Sequence, residues 1–260
     1  MYCQIKMNKE INKLILIAKN TVRQSLKILS EQSQTDQSIY FMKNLKREIK
    51  ASVDQTLHKQ ILISLNKTNI PIVSEEDNKS KIKKKLDEYW IIDPLDGTFN
   101  FIRDIGSCSI SVAYIKHNRI IFGVVGQFPS KKIFWGGKSL GSFVNNKNIQ
   151  VSSTNILKNA VLATGFPSRY KFNQSNLFFF FKLVKKFSKV RMLGSASVSL
   201  VKIAEGKIDV YIEKNIMLWD VAAGLAIVEG AGGTYVIKRS KNSLECDIIS
   251  TNNKLKLKLW

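Results

Sequence analysis

The chain has 260 residues, of which 44% are hydrophobic, and this is enough for one large or two small domains with a real core. The 41 basic residues exceed the 20 acidic ones, so the net charge is +21. This charge favours anionic partners such as phosphorylated metabolites, nucleic acid or a membrane surface, unless the lysines are simply solvated. Because the lysines are dispersed and no apolar run is long enough to span a bilayer, a membrane protein is excluded and nucleic acid is not the expected partner.

Three cysteines, Cys3, Cys108 and Cys246, lie far apart and form neither a disulfide framework nor a CxxC metal site. This usage is typical of a reducing, cytoplasmic protein. Charged residues such as Lys6 and Lys9 interrupt the N-terminal segment, so no signal peptide is expected there.

The N-terminal part of the chain has apolar residues at helical spacing, which predicts amphipathic helices over residues 8–30 and 51–66. A short strand is expected at 70–73, followed at once by the acidic segment 74–77. A lysine-rich connector over 78–87 leads to an apolar run at 89–92 that predicts a buried strand.

From residue 107 the apolar pattern alternates with a period of two, and from about residue 155 strands and helices alternate. Further strands are expected at 107–115, 120–125, 132–135, 141–144, 160–164, 190–193, 208–212, 234–236 and 247–250. Further helices are expected at 98–103, 175–187, 195–205 and 218–229. The apolar run at 177–181 is expected to form the buried face of its helix. The pattern predicts an α/β protein with a largely antiparallel middle sheet and two sub-domains, 1–152 and 153–260.

The segment from 88 to 101 carries the chemistry of the chain. Asp93 and Asp96 follow the apolar run, and Gly97 and Thr98 then open a short predicted helix. Carboxylates beside exposed backbone N–H groups suit a divalent metal together with phosphate. Two further acidic groups follow strands or begin helices, and an isolated carboxylate lies near the second helix. These acids are Glu75, Glu76, Asp220 and Asp54.

Each acid also has an ordinary structural explanation. Asp93 precedes a proline and suits a turn, whereas Asp96 and Asp220 suit helix caps. No other catalytic set competes, because His58 and His117 belong to no recognisable pair or triad. The sequence also lacks the GxSxG, Walker A and GxGxxG motifs.

Three motifs together resemble the inositol monophosphatase family of Mg²⁺-dependent, lithium-sensitive phosphomonoesterases. They are WIIDPLDGTFNF at 90–101, WDVAAG at 219–224 and the acidic box SEED at 74–77. The resemblance implies a layered α-β-α-β-α sandwich with two mixed or antiparallel sheets. It also implies a homodimer that hydrolyses a small phosphorylated metabolite with two to three Mg²⁺ ions and no covalent intermediate.

The resemblance also implies roles for individual residues. The implied metal ligands are the side chains of Glu75, Asp93, Asp96 and Asp220 and the backbone carbonyl of Leu95. The implied catalytic groups are Glu75 and Thr98, which orient and deprotonate the attacking water, and Asp54, near a weaker metal position. The implied phosphate cradle is formed by the N–H groups of Gly97 and Thr98. The implied substrate contacts are Gly194, Ser195, Ala196 and the hydroxyl-binding acid Glu213.

The sequence departs from the family pattern at three positions, with Ser74 for the usual Gly, Phe99 for Thr and Gly230 for Glu. Inositol 1-phosphate is the expected substrate, and adenosine 3′,5′-bisphosphate is the alternative. A dehalogenase-like phosphatase has a single residue between its two aspartates, whereas two separate them here. A non-enzymatic RNA- or protein-binding relative is a further alternative that the charge suggests.

Overall fold

Two large β-sheets form the framework of the computed structural model, which describes residues 2–32, 39–41, 49–77, 86–168, 170–239 and 243–257. Within these residues the helices are α1 (Tyr2–Glu31), α2 (Ser52–Leu65), α3 (Thr98–Arg103), α4 (Gln174–Val184), α5 (Ala196–Ala204) and α6 (Leu218–Gly230). Short 3-10 helices occupy Asn66–Thr68, Glu75–Asp77 and Leu157–Asn159.

The strands of the N-terminal part are β1 (Ile39–Phe41), β2 (Ile49–Ala51), β3 (Ile72–Ser74), β4 (Glu88–Asp96), β5 (Cys108–Lys116), β6 (Arg119–Phe128), β7 (Lys132–Gly137), β8 (Gly141–Val144) and β9 (Lys147–Asn148). The strands that follow are β10 (Val161–Thr164), β11 (Lys189–Arg191), β12 (Val210–Met217), β13 (Thr234–Lys238) and β14 (Glu245–Thr251).

The larger sheet has seven strands in the order β3-β4-β5-β6-β7-β8-β9. Only the β3–β4 pair is parallel, which confirms the predicted antiparallel character of this region. The β5–β6 hairpin turns through His117 and Asn118, both with positive φ, a conformation that matches the twist of the paired strands. The exposed side chain of His117 pairs with Asp87, which directly precedes β4, as expected for a solvated histidine.

The smaller sheet has five strands in the order β11-β10-β12-β14-β13. Strand β10 is parallel to both of its neighbours, whereas β14 is antiparallel to β12 and β13. Parallel pairing needs crossover connections, and α4 and α5 lie in the segments that join these strands.

Side chains of β4 alternate between two cores, and this alternation defines the layers. Trp90 and Ile92 lie in a core with α1 and α2, whereas Tyr89 and Ile91 lie in a core with α5 and α6. The outer face of the five-stranded sheet packs against Leu183 of α4. The layers are therefore α1/α2, sheet, α5/α6, sheet and α4, and the predicted layered α-β-α-β-α sandwich is confirmed.

Several predicted boundaries were wrong. Strand β4 does not end at residue 92 but continues to Asp96, with a register shift between Asp93 and Asp96. The strand expected at 208–212 begins at Val210 and ends at Met217, because it remains paired with β14 beyond a bulge. The β1–β2 hairpin was not predicted. Residues 33–38, which follow the first predicted helix, and residues 78–85 of the predicted connector lie outside the described residues.

The prediction for the apolar run at 177–181 was also wrong in part. Helix α4 forms, but Phe178 and Phe181 have exposed fractions of 61% and 60%, and its buried residue is Leu183. Among the described residues, no helix combines the length and apolarity needed to cross a membrane.

Candidate active site

Three carboxylates converge where β3, β4 and α6 meet. One oxygen from each of Glu75, Asp93 and Asp220 lies within 4.8 Å of the others. Parallel pairing sets Ser74 opposite Ile92, so that the next residues along the two strands, Glu75 and Asp93, also become neighbours. The alternation along β4 turns Asp93 toward α6, whose first turn carries Asp220.

The electrostatics of this cluster strongly favour a bound cation. Burial raises the pKa of Asp93 well above its usual range, and the negative charges of Glu75, Asp96 and Asp220 raise it further. Burial and the charge of Glu75 likewise raise the pKa of Asp220. A set of clustered carboxylate oxygens is the donor set that a hard divalent cation prefers, so these residues fit the implied metal.

Asp96, the last residue of β4, lies against the start of α5. Its Oδ2 accepts hydrogen bonds from Ser195 Oγ at 2.6 Å, Ser197 Oγ at 2.6 Å and the Ser197 N–H at 2.7 Å. Its Oδ1 accepts the Ala196 N–H at 3.3 Å. Burial raises the pKa of Asp96, and these hydrogen bonds oppose that rise. Asp96 is thus anchored to the predicted substrate segment and is not part of the three-carboxylate cluster.

Thr98 lies beside Asp54 at the start of α3. The Thr98 hydroxyl is 3.2 Å from Asp54 Oδ1 and 3.0 Å from the Leu95 carbonyl oxygen. The other carboxylate oxygen of Asp54 accepts the Ala51 N–H at 2.5 Å, which fixes its orientation. Thr98 therefore contacts Asp54 and the Leu95 carbonyl, whereas Glu75 lies in the three-carboxylate cluster with Asp93 and Asp220.

Gly97 and Gly194 allow the β4–α3 junction and the segment 193–196 to approach closely. Gly97 has φ +90°, and a Cβ at this position would lie 3.1 Å from the Gly194 carbonyl oxygen. The buried amide of Asn100 donates to the carbonyls of Leu193 at 2.7 Å and Ser107 at 2.9 Å. These contacts hold the segment 193–196 against the β4–α3 junction.

The sequence model of the inositol monophosphatase family matches residues 6–256. The chain belongs to this family. A relative from Aquifex aeolicus named fructose-1,6-bisphosphatase/inositol-1-monophosphatase is 38% identical over 64% of this chain, and the alignment spans 63% of that protein's length. A Haemophilus influenzae protein named Nus factor SuhB is 28% identical over 95% of this chain, and the alignment spans 89% of that protein's length. The solved structure of a Thermotoga maritima IMPase superposes with a TM-score of 0.79 at 27% identity, covering 94% of this chain and 93% of the other.

Glu213, the acid that the inositol monophosphatase resemblance assigns to substrate hydroxyls, is buried in β12. Its Oε2 accepts the Tyr211 hydroxyl hydrogen at 2.7 Å, and a Cβ on Gly165 would lie 2.7 Å from the same oxygen. Burial raises the pKa of Glu213 to about 7. The carboxyl group is therefore held in a narrow, buried position beside the end of β10.

Sequence reasoning missed several polar residues that support the site. They are Asn100, Ser109, Ser197 and Tyr211. Ser109 contributes through its hydroxyl, which is 2.5 Å from Ser197 Oγ. For Ser197 the sequence signal was the alternation of small and hydroxyl residues at 194–199, which also suits plain helix packing, and Asn100 lies within the motif at 90–101.

Two of the three departures from the usual inositol monophosphatase pattern have a clear local explanation. Ser74 Oγ accepts the Glu76 N–H at 3.2 Å and so orders the acidic turn. At Gly230 a Cβ would lie 2.5 Å from Ser142 Oγ and 2.6 Å from the Gly137 carbonyl oxygen, so a larger residue does not fit. Phe99 has an exposed fraction of 47% and faces Arg103. Nothing in the structure explains why phenylalanine occupies this position.

Proposed function

We propose that this protein is a Mg²⁺-dependent phosphomonoesterase that hydrolyses inositol 1-phosphate to inositol and phosphate. The observation that carries the proposal is the convergence of Glu75, Asp93 and Asp220, with one oxygen of each within 4.8 Å of the others. So close a group of carboxylates is electrostatically costly unless a cation joins it.

Two to three Mg²⁺ ions are proposed, with Asp96 and the carbonyl of Leu95 completing the ligands. When bound, the metal lowers the pKa of water and stabilises charge on the phosphoryl and leaving oxygens. Asp93 is buried, with one oxygen within 4.8 Å of oxygens of Glu75 and Asp220, and would hold the metal together with them.

The chain's own residues are proposed to position and deprotonate the water. The Thr98 hydroxyl donates its single hydrogen toward Asp54 or the Leu95 carbonyl, which leaves its lone pairs to accept a hydrogen from water. Glu75 accepts the proton that the water releases as it attacks phosphorus. The N–H groups of Gly97 and Thr98 hold the phosphoryl oxygens, as is common for anions beside such turns.

Glu213 and the segment 194–196 are proposed to bind the alcohol side of the substrate. A buried carboxylate can accept hydrogen bonds from the hydroxyls of a cyclitol, which favours inositol 1-phosphate over a nucleotide. Fructose 1,6-bisphosphate is the second candidate, because relatives at 38% and 32% identity carry the double name fructose-1,6-bisphosphatase/inositol-1-monophosphatase. Adenosine 3′,5′-bisphosphate is the third.

The proposal is tested by phosphate release from these three substrates with and without Mg²⁺. Asp93→Asn should reduce kcat about 1,000-fold or more, as expected when electrostatic stabilisation of the transition state is lost. Asp87→Asn is the matched control, because Asp87 is an exposed aspartate paired with His117. The enzymatic proposal fails if wild type and Asp93→Asn are equally inactive on the whole panel.

The stereochemical course at phosphorus separates direct attack by water from a dehalogenase-like mechanism. One in-line displacement by water inverts the configuration, whereas two displacements through an aspartyl-phosphate retain it. Trapping of an aspartyl-phosphate would instead support the dehalogenase-like alternative.

A binding function without catalysis is the competing proposal, favoured by the net charge of +21 and by relatives named Nus factor SuhB. This alternative gains support if RNA binds tightly and resists added salt while no substrate on the panel releases phosphate.

The protein is also proposed to form a homodimer. Phe172, Phe178 and Phe181 have exposed fractions of 53%, 61% and 60%, and exposed apolar surface of this kind commonly marks an interface. Light scattering should give the mass of a dimer, and Phe178→Ser with Phe181→Ser should shift it toward the monomer. A wild-type monomer at all concentrations contradicts the proposal.

A further inference from the structure

A second concave site lies between α1 and the turns of the β6–β9 region. The cleft has a volume of about 600 Å³, within the usual range for small-ligand pockets. Four cations line it, Lys19, Arg23, Lys27 and Lys131, against the single carboxylate of Glu31. Its walls therefore carry a local excess of positive charge.

The cations of α1 form a row along one side of the helix. Lys19, Arg23 and Lys27 are four residues apart, so that successive cations are separated by roughly 6 Å along the axis. Lys131 lines the same cleft from the turn between β6 and β7. This spacing suits an anion with several charged groups in a line.

The row is held on a rigid support. Helix α1 packs closely on β6, where a Cβ on Gly126 would lie 2.4 Å from Val22 Cγ1 and 3.1 Å from Leu26. Lys19 Nζ lies 4.5 Å from the centroid of the Trp135 ring. The cations are therefore presented by a fixed helix face.

The positive charges are only weakly balanced from within the chain. Lys27 is 3.8 Å from Glu31, but both side chains are largely exposed, so this pair contributes little. Among the described residues, no carboxylate lies within ion-pair distance of Lys19, Arg23 or Lys131. Burial and the nearby Arg23 lower the pKa of Lys19. A bound anion would relieve this repulsion.

The cleft is separate from the carboxylate cluster. Ile133, in the cleft wall, lies on β7, three strands from β4 in the sheet, or roughly 14 Å at the usual strand spacing. Ile133 also belongs to the core on the α1/α2 side of the sheet, whereas Asp93 faces α6. A ligand in the basic cleft would therefore lie apart from the carboxylates of the proposed phosphatase reaction.

We propose that this cleft binds a compact oligophosphate, either inorganic tripolyphosphate or the triphosphate group of a nucleotide. Single-stranded nucleic acid is disfavoured because its binding uses free aromatic faces for base stacking. Here one face of Trp135 is covered by Lys19, and the ring stacks on Phe143 at 4.6 Å. The cleft volume of about 600 Å³ also suits a small ligand better than a long strand.

The test is isothermal titration of tripolyphosphate into the full chain in metal-free buffer at low salt, where the acidic cluster repels anions. One saturable site is expected. Lys19→Gln with Arg23→Gln should weaken binding about tenfold or more, the effect of losing a few favourable charge contacts. The matched control is Lys59→Gln with Lys158→Gln, which removes the same charge from exposed positions elsewhere.

Lys131→Asn provides a second variant that preserves folding. Lys131 has φ +55°, a conformation that asparagine tolerates well, so the change removes a cation without backbone strain. This variant should weaken tripolyphosphate binding about threefold to tenfold. Phosphatase activity should not change in any of these variants, which separates this site from the proposed reaction.

The inference is overturned if binding is not saturable, if the control double variant weakens it equally, or if Lys131→Asn binds as well as wild type. Titration of ATP and orthophosphate shows whether the phosphate groups belong to a nucleotide or to an inorganic anion. ATP binding as tight as tripolyphosphate supports a nucleotide, and preference for tripolyphosphate supports the inorganic anion. Tighter binding of a short single-stranded RNA through the same residues contradicts the proposed ligand class.

Discussion

Ser197 illustrates how the site depends on groups outside the three-carboxylate cluster. Its hydroxyl and its N–H both donate to Asp96 Oδ2, at 2.6 Å and 2.7 Å. Hydrogen bonds to a buried carboxylate are stronger than those between neutral groups, and losing one typically costs about 1–3 kcal/mol.

We therefore expect Ser197→Ala to lower the free energy of unfolding by about 1–3 kcal/mol. Because a hydrogen bond that favours the charged form is lost, the pKa of Asp96 should rise and the acid limb of the pH–rate profile should move to higher pH. Urea unfolding and the pH profile measure the two effects. Ser199→Ala is the control, since Ser199 donates to the Ser195 backbone carbonyl and not to Asp96. An unchanged pH profile in Ser197→Ala contradicts this role.

Glu213 gives a second prediction at the scale of one residue. Burial raises its pKa to about 7, above the ordinary 4.5 of the unfolded chain. The folded state therefore holds the proton more tightly, and the contribution of Glu213 to stability decreases as pH rises from 4.5 to about 7.

Glu213→Gln removes this titration. The stability of the variant relative to wild type should increase across the same pH window and become constant above it. Denaturant unfolding at a series of pH values measures the difference. Glu10→Gln, at an exposed position, should show no such trend. A pH-independent difference for Glu213→Gln would contradict the raised pKa.

Helix α6 is the element that completes the carboxylate cluster, and its position is set by very close packing. A Cβ on Gly123 of β6 would lie 2.2 Å from the Ala223 carbonyl oxygen and 2.4 Å from its Cα. On the other side of the helix, a Cβ on Gly224 would lie 2.5 Å from Leu200 Cβ of α5. The helix is held between a strand and a helix with no space for one more carbon atom.

Gly123→Ala should therefore push α6 away from the sheet and move Asp220 from Glu75 and Asp93. Overpacking of this kind typically costs about 1–3 kcal/mol, so the melting temperature should fall. Mg²⁺ affinity, measured by titration, should decrease as well. Gly106→Ala is the control, because the nearest atom to a Cβ at Gly106 is 3.5 Å away. Unchanged metal affinity in a destabilised Gly123→Ala would show that the helix position does not control the cluster.

The sequence predicted most elements that carry the site, but not how they meet. The DPLDGT segment and the WDVAAG helix have strong local patterns, so α3 and the start of α6 were predicted at their observed residues. The bonds from Ser195 and Ser197 to Asp96 join residues about a hundred positions apart along the chain, and the pairing of Asp93 with Ser111 also joins separate strands. Local periodicity holds no information on such contacts. The roles of these residues as metal ligands or catalytic groups stay predictions.

At the scale of the whole molecule, one of the hydrophobic cores is shared by the two predicted sub-domains, 1–152 and 153–260. One hydrophobic cluster contains Ile91 and Val125 from the first part and Trp219 and Leu225 from the second. Buried polar contacts also cross the boundary, since Ser152 Oγ donates to Asp209 Oδ1 at 2.5 Å. Neither part can lose its fold without exposing apolar surface of the other.

We therefore expect a single cooperative unfolding transition, although chains of this length often unfold through intermediates. Scanning calorimetry should give equal calorimetric and van't Hoff enthalpies. Glu75 and Asp93 belong to one part and Asp220 to the other. Mg²⁺ should therefore raise the midpoint temperature of the whole transition. At a hundredfold excess over Kd, the free energy of unfolding should increase by about 2.7 kcal/mol. Asp93→Asn should unfold in one step with little response to Mg²⁺. Two separate transitions, or a Mg²⁺ shift confined to one of them, would show that the halves fold independently and that the cation does not join them.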